Sequence, residues 1–214
     1  MRAVYTWLWT VATAARSGVD CGMAGPAQHF VTEAEYLAFD LANEGKHEYV
    51  NGEIIAMAGP SEAHLVLTGN AYAALHAELK GGPCRPFVSD CRTHIDETGL
   101  YAYPDVLVVC GEREFAATNP PTLLNPTVIV EVLSESTQNY DRGAKLEHYR
   151  RRASVQAVLL IDSRRRWVNS YARNADGSWT LLDIVGGDVQ IACLGIAVSM
   201  DDLYEGVEGT IGWG

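Results

Sequence analysis

Three short apolar runs dominate the hydrophobic pattern of this chain: YPDVLVVC ending at Cys110, TVIVEVLS starting at Thr127, and VQAVLLID ending at Asp162. Each is strand-sized, and uninterrupted aliphatic runs of that length predict strands covered on both faces. Between the second and third lies a helical stretch carrying Leu146 and Tyr149, with Asp141 as its expected cap. Strand, strand, helix, strand predicts an α/β sheet, at least partly parallel, flanked by helices.

Upstream, Thr32 and Glu35 have capping-box spacing and open a short helix, TEAEYLAFDLAN. The segment HEYVNGEIIAM places two β-prone runs around Asn51-Gly52, a dipeptide that accepts positive φ at both positions and predicts a tight hairpin. Ser61 caps a helix expected to reach about Lys80, with Leu65, Tyr72, Leu75 and Leu79 as its buried stripe. A single strand is expected from about Arg85 to Ile95, followed after Cys110 by a Pro-containing loop from Gly111 to Pro126. The tail from Trp167 to Leu194 reads as additional antiparallel strands turning at Gly177 and Gly186-Gly187, closed by a short helix, MDDLYE.

The chain has 214 residues, 48% of them apolar and 20% charged, the balance of a globular protein. We expect one domain over residues 31–214, with no internal repeat, preceded by an atypical extension over residues 1–30. That extension mimics a weak secretory signal, but its apolar run is short and broken by Thr, so we expect a poorly ordered segment or an early start codon. No stretch approaches the ~18 apolar residues of a spanning helix, so no membrane partner is expected. The five cysteines are odd in number, scattered and without a CxxC pair, which predicts reduced thiols in a cytoplasmic protein.

The formal charge of −11 argues against nucleic acid only on average. Residues 139–173 carry nine basic side chains against three acidic ones, a net of +6 set against −17 elsewhere. A local basic zone is what phosphate contact requires. Taken alone it reads first as a solvated face.

Two carboxylates stand out chemically. Glu131 lies inside an otherwise aliphatic strand, where an ionised group needs a partner. Asp105 follows Pro104 at the head of another strand. On neighbouring strands the pair would offer hard oxygen ligands to Mg²⁺, which binds through one or two carboxylates plus substrate phosphate. Lys145, on the helix after Glu131, would steady charge on that phosphate. Singly, Glu131 reads as half of a structural ion pair, Asp105 as a turn residue, and Lys145 as the i,i+4 partner of Asp141.

The order PDVLVVC, VIVEVLSESTQNYDRGAKLEHY, VLLID resembles the Uma-two family of restriction-endonuclease-like proteins, within the broad PD-(D/E)xK nuclease class. The likeness includes YVNGEI and His64 and runs from about residue 31 to 207. It implies a restriction-endonuclease-like mixed sheet flanked by helices, and a Mg²⁺- or Mn²⁺-dependent endonuclease acting on DNA. Asp105 corresponds to the aspartate of the PD motif and Glu131 to the acidic residue of the second strand, with the Val132 carbonyl as a further metal ligand. The lysine normally two residues on is absent, since position 133 is Leu. Lys145 takes its place through the D-x-x-x-K pattern. Glu53 and His64 match recurrent polar positions and border the site, although His64 also reads as a capping or core histidine. The family's G-V-x-E-Y-W-like run is replaced here by SVQAVLLI.

Arg142, Arg150 and Arg151 are then the expected contacts to the DNA backbone. Double-strand cutting would call for a homodimer, one site per strand. Two alternatives remain open at this point: an inactive nucleic-acid-binding or mobile-element accessory protein that keeps the fold, and a hydrolase of small phosphate esters.

Overall fold

The structure, a computed structural model, describes residues 30–207. The expected extension over residues 1–30 lies outside them except for Phe30. In chain order the elements are helix α1 (Glu33–Ala42), β1 (His47–Val50), β2 (Glu53–Ala56), α2 (Glu62–Glu78), β3 (Cys84–Val88), β4 (Arg92–Ile95), β5 (Leu100–Ala102) and β6 (Val106–Cys110). There follow β7 (Phe115–Ala116), β8 (Thr122–Leu123), β9 (Val128–Leu133), helix α3 (138–151) and β10 (Ala157–Asp162). The chain closes with β11 (Val168–Arg173), β12 (Trp179–Ile184), β13 (Asp188–Ile191), a single 3₁₀ turn, β14 (Ile196–Ser199) and α4 (Met200–Leu203).

Thr32 and Glu35 form the reciprocal capping box, and Ser61 accepts from the His64 amide to cap α2. Asn51 (φ 51°) and Gly52 (φ 84°) make the β1–β2 turn, both positive as the hairpin requires. Gly52 has a second constraint, because a Cβ there would lie 2.6 Å from the Phe30 ring.

The strands build two six-stranded sheets, ordered β2-β1-β5-β4-β8-β7 and β12-β11-β10-β9-β6-β3, with β13 and β14 as a separate pair. In the second sheet β9 and β10 run parallel, joined across α3, and the remaining neighbours are antiparallel. This is the mixed sheet with added C-terminal antiparallel strands that the pattern predicts. Strand alternation sends Val106, Val108, Val130 and Val132 into a core with α2, and Leu107, Ile129 and Leu133 into a core with Leu146 and Tyr149 of α3. Truncating one of these, such as Ile129→Ala, costs about 2–5 kcal/mol.

Several expectations need correction. The strand drawn from Arg85 to Ile95 is two strands in different sheets, broken at Ser89, whose φ of 32° turns the chain from one sheet to the other. Leu65 is 58% exposed; the buried stripe of α2 is Ala63, Leu67, Ala71 and Leu75, continued by Leu79, a strict spacing of four. The loop before Pro126 contains β7 and β8, which extend the first sheet. Cys84 and Cys110 are not free thiols. They face each other in the β3–β6 register and form a disulfide, leaving Cys91 and Cys193 free among the described residues. Finally, Asp141 caps nothing: α3 starts at Gln138, and Asp141–Lys145 is a π-turn inside it.

Candidate active site

Lys145 is the hub of the site. Its ammonium is buried and lies 2.7 Å from Glu48 Oε1, 2.9 Å from Glu131 Oε1 and 3.6 Å from Asp141 Oδ1. The widened π-turn aims both Asp141 and Lys145 inward, an arrangement frequent at functional sites. One helical turn on, the buried Tyr149 hydroxyl donates to Glu131 Oε1 at 2.6 Å, fixing the carboxylate.

Asp105 is delivered by β6. One step beyond the Val106–Val130 pair, it stands across from Glu131 at the end of the ladder. Its Oδ2 accepts the Val132 N–H at 2.8 Å and its Oδ1 meets His64 Nε2 at 2.8 Å. The backbone is held too, because the Ser89 amide donates to the Asp105 carbonyl. In an extended strand the N–H and C=O of one residue share an edge, so the Val132 carbonyl faces the same side as Asp105.

The electrostatics follow from burial. Removal from water pushes the Glu131 carboxyl up to about 8; Lys145 opposes this, while Asp105, Asp141 and Glu48 add to it by repulsion. Burial by itself would lower the Lys145 ammonium, but Glu131, Tyr149, Glu48 and Asp141 hold it well above its usual range. Tyr149 is raised by burial and then by Glu131. Three carboxylates thus surround one ammonium in a desolvated place, with Asp105 across the strands from Glu131 as a fourth acid. Such an excess of negative charge is tolerable only with bound protons or cations.

The structure therefore brings together Asp105, Glu131 and Lys145, with His64 beside Asp105. It does not bring in Glu53, which is exposed opposite Val50 and shares no ion pair with this cluster among the described residues. Sequence reasoning missed Glu48, Asp141 as a buried acid, and Tyr149 as a hydrogen-bond donor. Glu48 had a faint signal, a lone charge leading the apolar Tyr49-Val50 into the hairpin.

The basic zone is partly answered by acids inside and outside it, several arginines sharing one carboxylate. Arg142 pairs with Asp162 at 3.3 Å and with Asn169, Arg150 and Arg151 share Glu147 at 3.5 and 3.6 Å, and Arg152 meets Asp96 and Glu97. Arg164 and Arg165 also turn to Asp162, Arg166 to Asp201, and Arg173 to backbone carbonyls.

A divalent ion makes definite demands on such a donor set. Among the described residues no group of three or more His, Cys, Asp or Glu side chains is arranged to hold a metal. Mg²⁺ needs less, being held commonly by one or two carboxylates and completed by water and phosphate. Asp105, Glu131 and the Val132 carbonyl fit that smaller set, and the surplus negative charge suits a cation.

The fold and these residues define a restriction-endonuclease-like protein. The family described as "Uma2: Putative restriction endonuclease" matches residues 33–201, and the chain belongs to it. Two uncharacterized proteins of Synechocystis sp. are similar, one 35% identical over 174 residues (81% of this chain, 90% of the relative) and the other 37% over 161 residues (75% and 91%). In fold it is similar to the crystal structure of "a putative nuclease belonging to DUF820" from Anabaena variabilis, with a TM-score of 0.62, 19% identity, and coverage of 80% of this chain and 98% of that one. No helix among the described residues is long and apolar enough to cross a membrane.

Proposed function

We propose that the protein is a Mg²⁺- or Mn²⁺-dependent endonuclease that hydrolyses DNA phosphodiester bonds, with Asp105, Glu131 and the Val132 carbonyl holding the ion. The observation that carries this reading is the cluster itself: Lys145 lies 2.9 Å from Glu131, in a buried group of carboxylates that a single ammonium leaves short of positive charge. Family membership supports the same reading.

When bound, the ion would polarise a phosphoryl oxygen and make its water more acidic. The protein's own groups have separate tasks. The Lys145 ammonium, kept protonated by its acidic neighbours, faces the negative charge that grows on the phosphate in the transition state. Tyr149 and His64 orient Glu131 and Asp105, so neither carboxylate must be ordered when substrate arrives.

The test is incubation of purified protein with plasmid and Mg²⁺ or Mn²⁺, with Glu131→Ala as control. Cleavage that survives the substitution, or none over several DNA forms with both ions, would overturn the reading. The ion pairing of eight of the nine basic residues in 139–173 favours a second reading, in which the same groups hydrolyse a smaller phosphate ester. Faster turnover of bis(p-nitrophenyl) phosphate than of plasmid would support it. A twofold association with one site per strand is proposed only alongside double-strand cutting.

A further inference from the structure

Six tyrosines among the described residues donate hydrogen bonds through their hydroxyls. Tyr36, Tyr49 and Tyr204 donate to backbone carbonyls, and Tyr101, Tyr103 and Tyr149 to carboxylates. Tyr140 differs. Its hydroxyl is shut off from solvent and has no hydrogen-bond partner. A buried hydroxyl left unsatisfied loses its hydration with nothing in return, so such a group in a folded protein calls for an explanation.

Its position supplies one. Tyr140 immediately precedes the π-turn, five residues before Lys145, and the i→i+5 bonding of such a turn brings positions five apart to one side of the helix. The charges acting on its hydroxyl are those of the cluster: Glu48, Lys145, Asp141 and Glu131. Burial first, then Glu48, drives its ionisation far above the usual range, so it remains a neutral donor. A neutral donor among carboxylates is suited to an anionic oxygen that arrives with its own cation. We propose that Tyr140 is a substrate-binding residue whose hydroxyl donates to a non-bridging oxygen of the substrate phosphodiester. This rests on the phosphodiesterase reading above and adds to it the residue that grips the phosphate.

Tyr140→Phe deletes only the oxygen, and two readouts separate a functional from a structural hydroxyl. Without ligand, the variant's unfolding midpoint should equal or exceed that of the wild type, because an unsatisfied polar atom has been removed; a clear fall would show the hydroxyl to be a structural group and overturn the proposal. With Ca²⁺, binding of a short labelled DNA duplex should weaken about tenfold or more, the scale of one hydrogen bond to a charged acceptor. Equal binding by the two proteins overturns it. If the wild type neither binds nor cuts DNA, that failure belongs to the function proposed above. Inorganic phosphate with Mn²⁺ then decides the matter. It must raise the wild-type midpoint, and Tyr140→Phe must reduce that shift; no phosphate effect on the wild type, or an equal one on the variant, overturns the inference.

Discussion

Two buried cations sit in the half of the molecule around β1, β4 and α3, and they are treated in opposite ways. Arg92 is wholly buried and answered in full. Asp40 Oδ2 lies 2.7 Å from it, Thr122, Thr118 and the Pro120 carbonyl take its other donors, and Tyr103 completes Asp40. One anion meets one cation there. Lys145, also buried, faces three carboxylates with a fourth at Asp105, and the Tyr140 hydroxyl at the start of its π-turn has no hydrogen-bond partner. The first arrangement is complete by itself. The second carries more negative than positive charge, and that imbalance is what the proposed ion site rests on.

The largest expected effect breaks the complete pair. Arg92→Leu leaves the buried Asp40 carboxylate without its guanidinium, and urea denaturation should show a loss of about 3–5 kcal/mol; a loss under ~1 kcal/mol would mean the pair is not structural. Next comes Glu131→Ala, expected to lower DNA cleavage by about 100-fold or more. Glu131→Gln should do the same to activity while leaving metal-free stability equal or higher, because a neutral amide resembles the protonated acid. A destabilised Gln variant would contradict the idea of surplus charge.

A third effect depends on pH. With its folded value raised from 4.5 to about 8, Glu131 keeps a proton that the unfolded chain has released. Its contribution to metal-free stability is therefore present below about 4.5 and lost as pH rises through about 8. In the proposed site an incoming ion would displace that proton, so Mg²⁺ affinity should climb by up to about tenfold per pH unit until about 8. Calorimetry at several pH values checks this, and a flat profile, or one unchanged in Glu131→Gln, would refute it. The smallest expected effect is a contrast. Glu48→Gln should reduce cleavage about tenfold, whereas Glu53→Gln, at an exposed position, should change it less than about twofold.

Much of the site is legible in the order of residues alone, for identifiable reasons. Glu131 betrays itself because a charge inside an aliphatic strand is costly wherever the strand lies. Lys145 is legible through its spacing and the family resemblance. Glu48 is not, because the side of a four-residue hairpin strand that faces inward is fixed by packing against other strands. Leu65 misleads because spacings of seven, three and four fit a helix face as well as the strict fours of Leu67, Ala71 and Leu75. The Cys84–Cys110 bridge depends on two strands 26 residues apart meeting in register, which no local pattern encodes. Asp141 reads as a cap because nothing in its neighbours' side chains signals the extra residue in the following turn.

That extra residue has a consequence of its own. Each residue added to or removed from an α-helix rotates everything beyond it by about 100°. Arg142, Gly143 and Ala144 span the distance between Asp141 and Lys145, and Gly143 and Ala144 are open to solvent. Their identities are loosely constrained by packing, but their number is not: losing one would either swing the ammonium away from Glu131 or turn Leu146 and Tyr149 off the core they share with Ile129 and Leu133. Here the chain stores its chemistry as a length.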